Sequence, residues 1–183
     1  MANRRERSIA IKALHTLVTS APRRLVGEAG EPHVVIFSDY QCPFCRRLDA
    51  ELPTLQGLVP EIRVDLRHYP LPSHPYAEEA AAIAICAERM GRFRMIHAAL
   101  FAVDWTSEEP LRALRDATEW SGSLGVCASE QDVLQRIDEE VELARRLGAT
   151  GSPVIVVGDS VHSGYLPPRE LASLVRRIVP GPQ

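Results

Sequence analysis

Cys42-Pro43-Phe44-Cys45 sets two thiols three positions apart. The apolar run Val34-Val35-Ile36-Phe37 ends shortly before it, so the pair falls where a strand hands over to a helix. A sulfur at a helix N-terminus feels the partial positive charge of unpaired N–H groups, which favours the nucleophilic thiolate. Two such sulfurs can join and part without unfolding the chain: one attacks an outside disulfide, the other resolves the mixed disulfide. Cys42, nearer the helix start and expected to present an exposed sulfur, is the candidate attacker. Cys45, one turn in and more shielded, is the candidate resolver. Pro43 suits the first helical turn, where a missing N–H costs nothing. Phe44 brings an apolar ring and neither charge nor donor to hold a thiolate, whereas a His there would make the pair more oxidising. An intermediate potential is expected within the range of about −270 to about −120 mV that such domains span.

Zinc is the competing use of two cysteines at this spacing. It requires two further ligands, usually a second close pair. Cys86 and Cys127 lie far apart in sequence and no His-x-x-x-His pair exists, so no metal site is expected.

The elements that must position the pair follow from periodicity. The strand at 34–38 is apolar on both faces, which points to the middle of a covered sheet. Cys45, Leu48, Leu52 and Leu55 recur at helical spacing after the motif, and Pro53 is expected to kink that helix. A second strand at Ile62–Tyr69 completes a right-handed βαβ unit with parallel pairing. Helices are predicted from Tyr76 to Met90 and from Phe93 to Phe101, with capping boxes at Thr106-x-x-Glu109 and Ser129-x-x-Asp132 opening two more. Val154–Val157, the turn Gly158-Asp159 and Ser160–Ser163 form a hairpin, followed by a last helix from about Pro168 to Val179. Residues 1–23 are an N-terminal helix or arm. Residues 24–183 are an α/β domain with a mixed sheet, βαβ then ββα, and a helical insertion at about 73–148 between the halves.

Ser152-Pro153 leads directly into the strand at Val154. A proline opening a core strand has no ladder donor to give. A cis Ser152–Pro153 bond would turn the chain sharply and leave nearby backbone groups available to a visiting peptide.

With these residues in view, Phe37-Ser38-Asp39-Tyr40-Gln41-Cys42-Pro43-Phe44-Cys45 resembles the active-site segment of the DsbA-like thiol–disulfide oxidoreductases, a branch of the thioredoxin superfamily. His74-Pro75 before the alanine-rich helix is similar to the start of that family's insertion, and Thr150-Gly151-Ser152-Pro153 with Gly158 resembles its cis-proline loop and hairpin. The resemblance covers about residues 25–179. It implies a thioredoxin-like fold, a redox-active Cys42–Cys45 pair, a cis Pro153 facing it, and no cofactor beyond the sulfurs. Ser152 departs from the Thr or Val often found before that proline. Cys86 and Cys127 resemble a second pair found in many members, which implies a structural disulfide; as residues alone they also suit two buried apolar side chains. The implied partners are protein or peptide thiols and disulfides, with a thioredoxin-type protein, glutathione or a membrane oxidase as redox partner.

Weaker candidates surround the motif. His68, His74, His97 and His162 are possible thiolate-tuning groups, His74 the best placed. Asp39 could shuttle a proton, though a carboxylate at a strand end is ordinarily solvated. Tyr40 and Phe44 would offer peptide partners an apolar surface or pack locally, and Trp105 and Trp120 are expected to pack in the helical block. A formal net charge of −3, with arginine doublets scattered among acids, argues against nucleic acid. No run of about 18 apolar residues exists to span a membrane, and the basic start lacks a cleavable apolar segment, so a cytoplasmic location is expected, or an extracytoplasmic one if a signal is missing. Two rival functions remain: a glutathione-using transferase or isomerase on a related fold, and a non-catalytic binding or chaperone module.

Overall fold

The computed structural model describes residues 4–20, 24–27, 32–109, 111–112 and 121–178. Its strands are β1 (Arg24–Val26), β2 (His33–Ser38), β3 (Arg63–His68), β4 (Val154–Val157) and β5 (Ser160–Ser163). Its helices are α1 (Arg4–Ser20), α2 (Pro43–Ala50), α3 (Leu52–Leu58), α4 (Ala77–Arg89), α5 (Phe93–Ala102), α6 (Ser121–Ala128), α7 (Gln131–Arg146) and α8 (Pro168–Ile178). The strands form one sheet in the order β1-β3-β2-β4-β5. β2 runs parallel to β3 and antiparallel to β4, with Ile36 opposite both Leu66 and Ile155. The β4–β5 hairpin turns at Gly158-Asp159, where φ of 52° at Gly158 lies in the region only glycine enters freely. This is a thioredoxin-like fold with a mixed sheet and a block of helices between its two halves.

Strand alternation sorts the core into layers. Val34, Ile36, Ile155 and Val157 pack with Leu48, Leu52, Leu55, Leu171 and Val175 on one face. Val35, Phe37, Val154 and Val156 pack with Ala10, Ile11, Leu14, Leu143 and Leu147 on the other. A third apolar cluster, built from α4, α5, α6 and α7, has Tyr40, Cys42 and Cys45 as members. The cysteine motif thus lies at the seam between sheet and insertion.

Two local expectations need correction. The segment after the motif divides at Glu51 rather than kinking, because Pro53 takes the first turn of a new helix, where no donor is needed. Glu130, not Ser129, occupies the N-cap position of α7, with no side-chain capping bond, and the Ser129 hydroxyl donates to Gly125 O (3.1 Å). The N-terminal segment is helical over Arg4–Ser20, and α1 buries Ala10, Ile11 and Leu14 against the sheet. Arg24–Val26, which carries no strand signal in the sequence, adds an antiparallel edge strand to β3. The approach is tight at Gly27, where a Cβ would lie 2.0 Å from Ile62 O. Beyond this short strand, side chains satisfy the outer edge of β3: Glu140 accepts from His68 N–H (2.6 Å) and Arg67 donates to Leu66 O (2.7 Å). Trp105 stacks on Tyr76 with ring centroids 6.4 Å apart. Trp120 lies outside the described residues.

Candidate active site

Cys42 is the N-cap of α2, with extended backbone at φ −79°, ψ 122°, and Pro43 follows in the first turn. The turn is closed by Cys42 N–H donating to Asp39 O (3.1 Å), while Cys42 O accepts Arg46 N–H (3.1 Å). The Ser152–Pro153 peptide is cis, and Cys42 Sγ lies 3.5 Å from Ser152 O. Residues 110 positions apart therefore meet across the site. Pro153 O accepts Gly164 N–H (2.7 Å), which ties this loop to the end of the hairpin.

Two sulfurs of the same type are driven in opposite directions. The Cys42 thiol is lowered from 9.0 to about 5, chiefly by hydrogen bonding from the Cys45 thiol; burial opposes the shift, and the Ser152 side chain and the backbone N–H groups of Cys45 and Phe44 add to it. As a thiol, Cys42 donates to Ser152 O. The Ser152 hydroxyl oxygen is buried and has no hydrogen-bond partner, which leaves it available to donate to the ionised sulfur. Cys45 is raised well above its ordinary value, first by burial and then by its bond to Cys42, with Ser38 and the Asp39 N–H partly opposing. One proton is thus shared unequally between a nucleophile and its partner.

Exposure differs from expectation. Cys42 is 4 % exposed, hardly more open than Cys45 at 1 %. Its reactivity rests on its donors and its helix end rather than on an open sulfur. Tyr40 is buried as well and offers no surface; Phe44, 56 % exposed, is the apolar group presented outward.

Several of the weaker candidates fall into polar contacts here, and Asp49 and Arg46 are groups that the sequence did not single out. Tyr40 O–H donates to His97 Nδ1 (2.9 Å), and His97 Nε2 donates to Asp49 Oδ1 (2.9 Å). This chain joins the active-site turn, α5 and α2. Arg46 reaches Val103 O at the end of α5 (2.6 Å). Asp39, expected to be solvated, is buried and bonds His74 Nδ1 (2.7 Å). His68 packs its ring 5.7 Å from Tyr40, and His162 lines a shallow groove with Leu166 and Arg169 away from the pair. On the outer side of α2, Arg47 stacks 4.5 Å over the Tyr165 ring, and Tyr165 O–H donates to Glu51. In the insertion, Cys86 and Cys127 form a disulfide with Cα atoms 5.9 Å apart. Among the described residues, no group of three or more His, Cys, Asp or Glu is arranged to hold a metal.

The profile of the DSBA-like thioredoxin domain matches residues 33–176, which contain both cysteine pairs and the cis-proline loop. The chain belongs to that family. A thioredoxin-like oxidoreductase from Silicibacter pomeroyi is 30 % identical, with a TM-score of 0.72 over 81 % of this chain and 86 % of that one. The catalytic domain of Proteus mirabilis ScsC shares the fold at 22 % identity, with a TM-score of 0.76 over 92 % of this chain and 96 % of that one. A Na(+)/H(+) antiporter, NhaA 3 of Salinispora tropica, is 29 % identical over 135 residues, which are 72 % of this chain. The chain spans about a fifth of that antiporter, 21 % of its length. Among the described residues, no helix here is long and apolar enough to cross a membrane.

Proposed function

We propose that this protein is a thiol–disulfide oxidoreductase acting on protein or peptide substrates. The observation that carries the reading is the placement of Cys42 Sγ at the N-cap of α2, facing the Ser152–Pro153 loop at 3.5 Å. The Cys42 thiolate attacks one sulfur of a substrate disulfide, forming a mixed disulfide and expelling the other sulfur as a thiolate. Cys45 then gives up its proton and attacks Cys42 Sγ. The second substrate thiol leaves, the Cys42–Cys45 disulfide forms, and two electrons pass to the substrate. The reverse sequence oxidises a substrate dithiol. The depressed Cys42 and raised Cys45 support this division of labour. Pro43 and Phe44 shape the tip of α2, and Ser152 and Pro153 receive the substrate backbone beside the sulfur. The pair is regenerated by a thioredoxin-type protein, glutathione or a membrane oxidase.

The buried Cys86–Cys127 disulfide favours an oxidising compartment, which supports the extracytoplasmic alternative over a cytoplasmic one. The working unit in this reading is residues 24–183, with an insertion at about 73–148 and residues 1–23 as an N-terminal helix or arm. The test is capture: reduced Cys45→Ser, mixed with disulfide-bonded substrate proteins, should accumulate mixed disulfides through Cys42 that dithiothreitol releases. Absence of any Cys42-linked adduct, with wild type also inactive in insulin reduction, would refute the reading.

A further inference from the structure

The exchange steps leave one buried group in the active-site turn without a use. The Asp39 carboxylate is 0 % exposed, and His74 beside it is 24 % exposed. Its Oδ1 accepts Gln41 N–H (2.7 Å), and its Oδ2 accepts both Leu71 N–H (2.8 Å) and His74 Nδ1–H (2.7 Å). A carboxylate only accepts, so Nδ1 carries the proton. The peptide groups of the same residue reach the cysteine pair: Asp39 O accepts Cys42 N–H (3.1 Å), and Asp39 N–H donates to Cys45 Sγ (3.4 Å). Gln41 makes a parallel crossing, its Oε1 accepting Tyr76 N–H (2.9 Å). The turn carrying the nucleophile is therefore pinned to residues 71–76, the segment that leads from β3 into α4.

Burying a carboxylate is costly unless donors meet it. Here they are charge-assisted and two are backbone N–H groups fixed by the chain, so Asp39 cannot shift without leaving its charge poorly solvated. That rigidity passes to its own peptide groups, because they belong to the same residue.

We propose that Asp39, tethered by His74 and Leu71, is a positioning residue for the cysteine pair: it holds its N–H on Cys45 Sγ and so keeps the Cys45 thiol directed at Cys42. This rests on the exchange function argued above. Two consequences follow from the geometry. The Asp39 N–H favours the Cys45 thiolate needed in the resolving step, and the Cys45 donor is the leading cause of the low Cys42 pKa. A bare charge would act in the opposite sense, since an anion near a sulfur disfavours its thiolate. The sign of the change therefore separates a tether from an electrostatic neighbour.

The experiment uses the full reduced chain as wild type, Asp39→Asn, His74→Ala and His74→Asn. The Cys42 thiolate is titrated by its ultraviolet absorbance, and each protein is equilibrated with glutathione. Asn at position 39 keeps the shape but turns an N–H2 group toward Leu71 N–H and His74. The tether predicts that Asp39→Asn raises the Cys42 pKa by about one unit, a tenfold loss of thiolate below that pKa, with the pair becoming correspondingly less oxidising. His74→Ala moves both readouts in the same direction by less, and His74→Asn, whose amide offers a donor near the Nδ1 position, returns them toward wild type. A fall or no change in the Asp39→Asn titration overturns the proposal. If Asp39→Asn does not fold, the two His74 variants decide, and equal titrations of Ala, Asn and wild type overturn it. Unchanged titrations with a wild type that exchanges normally would remove the tether alone; a wild type inert toward glutathione would remove the exchange function, and the tether with it.

Discussion

Cys42 and Cys127 are almost equally screened from solvent, at 4 % and 8 % exposure, yet they stand in opposite electrostatic settings. Cys42 occupies the N-cap of α2, beside the partial positive charge of that helix end. Cys86 lies in the last turn of α4, its O accepting Met90 N–H, and Cys127 lies in the last turn of α6. Helix C-termini present carbonyl oxygens and partial negative charge, which disfavour a thiolate. Arg89, 3.9 Å from Cys127 Sγ, has its charge engaged by Glu130 and Asp132. Burial alone thus says little about a cysteine. The helix end it occupies, and the donors aimed at it, separate a pair suited to exchange from one suited to hold the insertion together.

The contrast is broken most directly by activity. Cys42→Ser should abolish insulin reduction, whereas the Cys86→Ala/Cys127→Ala double variant should keep it within a few-fold. Loss of turnover in the double variant at a temperature where it stays folded would place the second pair in the reaction. Stability should respond in the reverse manner. The Cys86–Cys127 bond spans 41 positions, and loop closure on that scale contributes about 4 kcal/mol. Urea unfolding of the double variant should show a loss of that order, and a midpoint unchanged from wild type would contradict a stapling role.

Acid should sharpen the distinction further. A thiol whose folded pKa lies below its unfolded value adds stability that is fully present above the unfolded pKa and is lost as pH falls through the folded one. For Cys42 that window runs from 9.0 down to about 5. The stability of reduced wild type relative to Cys42→Ser should therefore shrink steadily across it. The rate of alkylation by iodoacetamide should be half-maximal near the lower end. A rate that rises only above pH 8 would show an ordinary thiol. The smallest effect is expected at the exposed Phe44: Phe44→His places a cation beside the thiolate and should raise the potential by about 30 mV, a tenfold shift in the glutathione equilibrium.

The large features were legible because each rests on a local pattern. The unbroken apolar run of β2, the Gly158-Asp159 turn and the proline before β4 all report their own geometry. The polar wiring was not, since its partners are distant: Tyr40 and His97 are 57 positions apart, and Asp39 and His74 are 35 apart. Nothing around an isolated aspartate says whether folding will bring donors to it. The strand at Arg24–Val26 was hidden for a related reason: three residues show no period, and β3 recruits them as an edge. The exposed sulfur expected for Cys42 failed because the cis-proline loop and the insertion cover it, and that cover is tertiary.

The most direct test is to equilibrate the protein across glutathione redox buffers and identify each cysteine by differential alkylation and mass spectrometry. The account predicts that Cys42 and Cys45 convert together between dithiol and disulfide, reversibly, while Cys86 and Cys127 stay joined throughout. A Cys42–Cys45 pair that never changes state, or a Cys86–Cys127 bond that cycles in its place, would contradict it.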